Sequence, residues 1–136
     1  MDNIYRQYIL DHYKNPRNFG RIPNPDTSSE EGNPLCGDKI GVDIKIISNS
    51  NLSKIDDIRF YGVGCAISVA SASMLTENIK GKSIKTVLSI DKDVVLALLG
   101  IQLGPTRLKC ALLALETIHQ ALNKYQPKLH HENPTK

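Results

Sequence analysis

Three cysteines and one aspartate stand at positions suited to metal or sulfur chemistry: Cys36, Asp38, Cys65 and Cys110. Cys36 lies in the run NPLCGD, where a proline-rich and glycine-rich stretch gives way to a β-prone one. Asp38 stands two residues on, and strand side chains repeat every two residues, so its carboxylate can point the same way as the Cys36 thiol. Cys65 follows Gly62-Val63-Gly64 and opens a helical run. Cys110 falls near the start of a last helix, two positions from Leu108, a rotation of about 200° that takes it off the apolar stripe. Helix N-termini carry unsatisfied N–H groups and partial positive charge, and both favour a thiolate. Three thiolates and a carboxylate make the donor set wanted by tetrahedral zinc or an iron-sulfur cluster, and soft sulfur selects those metals over calcium or magnesium. No pair reads Cys-x-x-Cys, and the spacing alone also fits cysteines acting as small buried hydrophobes. An odd number of thiols cannot all pair within one chain, so a disulfide framework is the poorer explanation.

The neighbours of these residues divide into helpers and bystanders. Lys109 adjoins Cys110, where its ammonium would support the thiolate and steer an anionic persulfide; Arg107 is a weaker version of the same case. His12 reads as a packed or hydrogen-bonded residue rather than a ligand, and His119 as a surface or half-buried one. His130 and His131 read as a solvated chain end, with adventitious metal capture the alternative. Gly62-x-Gly64 lacks the third glycine of a nucleotide fingerprint and reads as room for backbone beside a metal site.

The elements that must position these groups follow from periodicity. Ile4, Tyr5, Tyr8, Ile9 and Tyr13 recur at helical spacing, and the helix should stop before Asn15-Pro16, because a residue preceding proline avoids the α region. Residues 15–37, with Pro16, Pro23, Pro25, Pro34, Gly20 and Gly32, read as irregular loop. Alternating Ile40, Val42, Ile44 and Ile46, a polar turn, and a second β-prone run over 55–61 predict an antiparallel hairpin with one wet face. Ile67, Ala70, Ser71, Met74 and Leu75 then predict a helix whose small residues allow close approach, closed by Gly81. Short helical segments follow over 83–88 and over 91–99, with Asp91 as N-cap and Gly100 as stop. A last helix starts near Pro105 or Thr106 and carries Leu108, Ala111, Leu112, Leu115, Ile118, Leu122 and Tyr125. This order without βαβ alternation predicts an α+β class, an antiparallel sheet with helices packed against it. The expected organisation is a single domain over 1–126 and a flexible tail over 127–136.

Composition narrows the field. A chain of 136 residues with 40% hydrophobic content supports one core. Charged residues at 23% with a net charge of +3 leave disorder unsupported. With two Phe, five Tyr and no Trp, no run of stacking aromatics accompanies a basic patch, and nucleic acid is not an expected partner. The longest nearly unbroken apolar run, Val94 to Ile101, falls far short of the roughly 20 residues of a membrane helix. The N-terminal MDNIYRQYILDHYK lacks the apolar centre and cleavage site of a secretory signal, so a cytoplasmic chain is expected.

Four runs in order, DHYKNPRNFG at 11–20, NPLCGD at 33–38, GVGCAISVASASM at 62–74 and GPTRLKCALLALE at 104–116, resemble the successive motifs of the NifU/IscU/SufU iron-sulfur cluster assembly proteins. The resemblance spans about residues 2 to 125. It implies that Cys36, Asp38, Cys65 and Cys110 are the ligands of a transient cluster, of the 2Fe-2S type, or of zinc, at one exposed end of an α+β sandwich. It implies a cysteine desulfurase as sulfur donor, with Cys110 as candidate acceptor, and apo iron-sulfur proteins as recipients, in a carrier rather than a turnover enzyme. Departures bear on subtype. Lys109 stands where scaffold members resembling IscU have histidine. Leu103-Gly104-Pro105-Thr106-Arg107 stands where they have the Leu-Pro-Pro-Val-Lys read by an Hsp70-type chaperone, which leaves that partner without its segment. The GCAISVASASM and RLKCA wording is similar to the SufU branch, which implies the alternative of a zinc-dependent sulfurtransferase. The 45-residue step from Cys65 to Cys110 is short for the insertion typical of that branch.

Overall fold

A computed structural model of the chain describes residues 2–34, 37–49 and 52–132. Cys36 and the tail residues 133–136 lie outside the described residues, as do the side chains of His130 and His131. The elements are α1 (Asp2–Lys14), β1 (Thr27–Asn33), β2 (Asp38–Asn49), β3 (Leu52–Val63), α2 (Ala66–Ile79), α3 (Ile84–Leu88), α4 (Lys92–Leu99) and α5 (Pro105–Glu132). The sheet is antiparallel in the order β1-β2-β3, and the helices pack on one of its faces, as the α+β reading expects.

The predicted hairpin is present and longer than its apolar alternation. Ile40, Val42 and Ile44 of β2 and Ile55, Ile58 and Phe60 of β3 are buried under the helices. A register shift between Lys45 and Ile46 lets Ile58 and Ile55 both face inward although they are three positions apart. One strand departs from the sequence reading. Residues 15–37 are not wholly irregular, because Thr27–Asn33 pairs with β2 from Thr27↔Ile44 to Asn33↔Asp38. The segment TSSEEGN has no apolar alternation to signal it. Its inward positions Thr27, Ser29 and Asn33 are polar and buried, and the Thr27 hydroxyl donates to the Ala121 carbonyl of α5 at 2.7 Å. Strand formation there depends on a paired edge and a helix backbone, both supplied by distant sequence. The opposite edge, β3, is partly covered: the Phe60 N–H donates to Asn18 O, the Gly20 N–H to Phe60 O, and the Phe19 ring meets Phe60 edge-on at 5.2 Å.

Helix α2 is the centre of the molecule, buried continuously from Ile67 to Thr76 between the sheet, α1 and α5. Its serines fit close packing because each hydroxyl has a partner: Ser71 donates to Ala111 O at 2.7 Å, and Ser73 Oγ accepts the Arg17 N–H at 2.8 Å. His12 of α1, 1% exposed, lies 2.7 Å from Ser73 Oγ through Nδ1 and takes the Tyr8 ring edge-on. It is a packed, hydrogen-bonded residue, as expected from the sequence. Burial, followed by the nearby Arg17 charge, holds its pKa below the ordinary histidine value. The half-buried His119 places Nε2 3.0 Å from Val87 O. Asp91 caps α4 by accepting from the Asp93 and Val94 N–H groups, and Gly100 ends it at φ +70° with the Tyr5 ring against it. Helix α5 stays helical through Pro127 to Glu132, beyond the Tyr125 at which its stripe ends; Lys128, Leu129 and Glu132 are good helix formers.

The outer face of the sheet carries a buried charge. Asp43 of β2 accepts from Arg21 Nε at 2.8 Å, from the Ile22 N–H at 3.0 Å and from the Ser28 hydroxyl at 2.8 Å. It thereby staples the 15–26 loop and β1 to the central strand. Arg21 also lies 3.8 Å over the centroid of the Tyr61 ring, which itself lies on Gly41, where a Cβ would collide with it. Burial pushes the Asp43 carboxyl up, but these hydrogen bonds outweigh it and hold the pKa below 3.8.

Two stability measurements follow from these buried groups. Asp43→Ala strands the Ile22 and Ser28 donors and should lower unfolding stability at pH 7 by about 2–3 kcal/mol. Because the folded pKa is the lower one, this contribution is present above pH 3.8 and is lost as pH falls through the folded value. Urea midpoints of parent and Asp43→Ala should therefore converge in strong acid. For His12 the unfolded state binds the proton first as pH falls below 6.5. Parent stability should decline below that pH by up to one proton's slope, and His12→Gln should lack that part of the decline; identical slopes would show that His12 is not held neutral.

Candidate metal centre

The site is assembled from three elements at one end of the sheet. Gly62, at φ +119° in β3, pairs with Ile40, and a Cβ there would run into the Lys39 carbonyl oxygen. Only glycine lets β3 close so tightly on β2, and this approach carries Gly64 and Cys65 over the start of β2. Gly64 has no positive φ; it is constrained by space, since a Cβ would collide with the Ser68 hydroxyl. The Gly-x-Gly run thus gives backbone room in one position and side-chain room in the other.

Cys65 is the N-cap of α2, yet its side chain makes no cap hydrogen bond. Asp38 performs that task from another element. Its Oδ1 accepts the Cys65 N–H at 3.1 Å and its Oδ2 accepts the Ser68 hydroxyl at 2.9 Å. Cys110 enters from α5, held one residue away by the Ser71 bond to Ala111 O. The donor atoms of Asp38, Cys65 and Cys110 lie within 4.8 Å of one another. Asp38 is 5% and Cys110 3% exposed, while Cys65 is half-buried.

Such spacing fits a shared metal. Zn–S bonds of about 2.3 Å in a tetrahedron place two sulfurs about 3.8 Å apart, so closing the described donors around one ion asks for movements of about 1 Å. A cleft of about 300 Å³, lined by Cys65, Ala66, Ile67, Thr106, Arg107 and Cys110, opens onto the two sulfurs.

One expectation changes here. Cys110 is not turned away from the core: the buried face of α5 runs through Cys110, Ala111, Ala114, Ile118, Ala121 and Leu122, and Leu108 is only partly covered. The apolar stripe drawn from large residues missed this because α5 meets α2 through its small side chains. Lys109 does not line the cysteine cleft. It borders a separate groove of about 280 Å³ with Asn33, Pro34, Leu113 and Glu116, and Arg107 is the cation on the cysteine side. Sequence reasoning also passed over Ser68, whose signal was its place three residues after the helix cap.

The NifU-like N terminal domain model matches residues 4–132. The zinc-dependent sulfurtransferase SufU of Bacillus subtilis is 39% identical, with 91% of this chain and 92% of that protein covered. That alignment takes 141 positions, more than this chain's 136 residues, so the relative carries residues this chain lacks. The iron-sulfur cluster assembly scaffold protein IscU of Aquifex aeolicus is 40% identical over 91% of this chain and 77% of its own. Among solved structures, a putative iron-sulfur cluster assembly scaffold protein for the SUF system from Fervidobacterium islandicum superposes with a TM-score of 0.67 at 30% identity, covering 85% of this chain and 93% of that one. With a family model spanning nearly all of its described residues and relatives of this identity, the chain belongs to the NifU-like N-terminal domain family.

Proposed function

We propose that this chain is an iron-sulfur cluster assembly scaffold. It takes sulfur from a cysteine desulfurase, holds a transient 2Fe-2S cluster on Cys36, Asp38, Cys65 and Cys110, and passes it to apo-proteins. The supporting observation is the convergence of Asp38, Cys65 and Cys110 within 4.8 Å beside an open cleft. Cys36, separated from Asp38 by Gly37 alone, completes the set by its place in the sequence. Relatives named as IscU scaffolds from bacteria and archaea support the same reading. One oxygen donor among thiolates leaves an iron less firmly held, which suits a carrier built to release its cargo.

Sulfur acceptance is a thiol exchange. The acceptor thiolate attacks the outer sulfur of the desulfurase's cysteine persulfide, a new S–S bond forms on this chain, and the desulfurase thiolate leaves. Cys110 is the acceptor in this reading, reached through the cleft that Arg107 lines, with Lys109 supporting the thiolate from the neighbouring position. No helix among the described residues is long and apolar enough to cross a membrane, and the protein is proposed to act in the cytoplasm.

A second reading, a zinc-dependent sulfurtransferase, is favoured by the 39% identity with the zinc-dependent sulfurtransferase SufU of Bacillus subtilis. Here zinc holds the cysteines until the desulfurase frees one to accept sulfur. Metal analysis and absorption spectra of oxygen-free protein, before and after iron, cysteine and a desulfurase, separate the two. Cluster absorption that forms on the parent and is lost in Cys65→Ser supports the scaffold. Tight stoichiometric zinc without cluster supports the relay.

The two cations are separable as well. Arg107→Ala should slow sulfur acceptance near neutral pH by roughly 3-fold to 30-fold, and Lys109→Ala by less, because Arg107 borders the sulfurs and a partly exposed charge shifts such chemistry only modestly. Equal rates for parent and both variants, followed by single-turnover labelling with radioactive sulfur, would remove both residues from the reaction.

A further inference from the structure

We infer that Ser68 is the positioning residue of the metal centre: its hydroxyl fixes the plane of the Asp38 carboxylate so that this oxygen ligand is set before metal arrives. The inference rests on the reading of Asp38 as a ligand. Ser68 is fully buried, and its single hydroxyl proton has three acceptors in range: Asp38 Oδ2 at 2.9 Å, Cys65 O at 3.2 Å and Cys65 Sγ at 3.7 Å. The shortest of these is the carboxylate, and a hydrogen bond to a charged acceptor is the strongest choice.

The Cys65 N–H holds one carboxylate oxygen, Oδ1. With Ser68 on the other oxygen, both are tied, and the rotation is fixed. Gly64 supports the assignment from an independent direction. Its backbone would accept any residue, yet a Cβ would strike the Ser68 hydroxyl and lie 3.5 Å from the Asp38 carboxyl carbon. The empty space at residue 64 is therefore the space the Ser68–Asp38 contact occupies.

The test uses the full chain and zinc alone, with affinity measured by competition against a chromophoric chelator and zinc release followed after dilution into excess chelator. Ser68→Ala should bind zinc about 10-fold more weakly, the usual scale for losing an outer partner of a ligand. Gly64→Ala, which keeps the hydroxyl but displaces it, should show a loss in the same direction. Ser68→Thr, which keeps the donor, should recover most of the affinity. In an Asp38→Ala background Ser68→Ala should add no further loss, a result that general damage to the fold would not give. If Asp38→Ala weakens zinc binding but Ser68→Ala does not, or if the two losses add in full, the positioning role is wrong while the ligand reading stands. If Asp38→Ala leaves the affinity unchanged, the ligand reading fails and this inference falls with it.

Discussion

The hydrogen bonds that the Asp38 carboxylate accepts from the Cys65 N–H and the Ser68 hydroxyl join the first residue of β2 to the first turn of α2. The central strand and the central helix meet at that one side chain. A helix N-terminus inside a protein must find acceptors for its leading N–H groups, and here the Cys65 N–H finds one in Asp38 of β2. The Cys65 side chain makes no cap hydrogen bond, and its sulfur borders the cleft. The same contact fixes where α2 begins and so places Ser71 against α5 and, through it, Cys110.

Around this junction the fold tolerates an unusual number of buried hydroxyls. Ser68, Ser71, Ser73, Thr76 and Thr117 are all buried, and each bonds to a backbone carbonyl, a carboxylate, a histidine or a main-chain N–H. Small hydroxyl residues let α1, α2 and α5 approach closely, while the satisfied hydrogen bonds limit the cost of removing polar groups from water. Asp43 serves a parallel purpose on the other face of the sheet, with Arg21 above it. The core is thus stabilised by aliphatic burial from the strands and by polar fastening along the helices.

The site that results is asymmetric. One carboxylate and one sulfur are almost covered, and one sulfur is half exposed beside a cleft with a guanidinium at its rim. The cleft is lined by both cysteines, the half-buried Cys65 and the buried Cys110. Lys109, on the other side of α5, borders the groove with Asn33 and Pro34, residues that lead into Cys36. The two cations therefore border different grooves.

Asp38, Cys65 and Cys110, which the fold brings together, were legible as candidates from residue type, position at element edges and the order of four motifs. So were the hairpin, the caps at Asp91 and Gly100, and the α+β class, because alternation, capping and proline rules act within a few residues. What the sequence could not decide was everything that needs a distant partner. TSSEEGN becomes a strand only because β2 offers its edge and α5 offers Ala121 O. Cys110 is buried because α5 packs on α2 through small residues, a preference that large-residue stripes do not reveal. Lys109 and Arg107, two positions apart, face different grooves because a helix turns about 200° between them. Ser68 becomes a partner of Asp38, thirty residues away in the chain, only once Gly62 has let β3 close on β2. Local chemistry chose the candidates, and tertiary packing chose which of them touch.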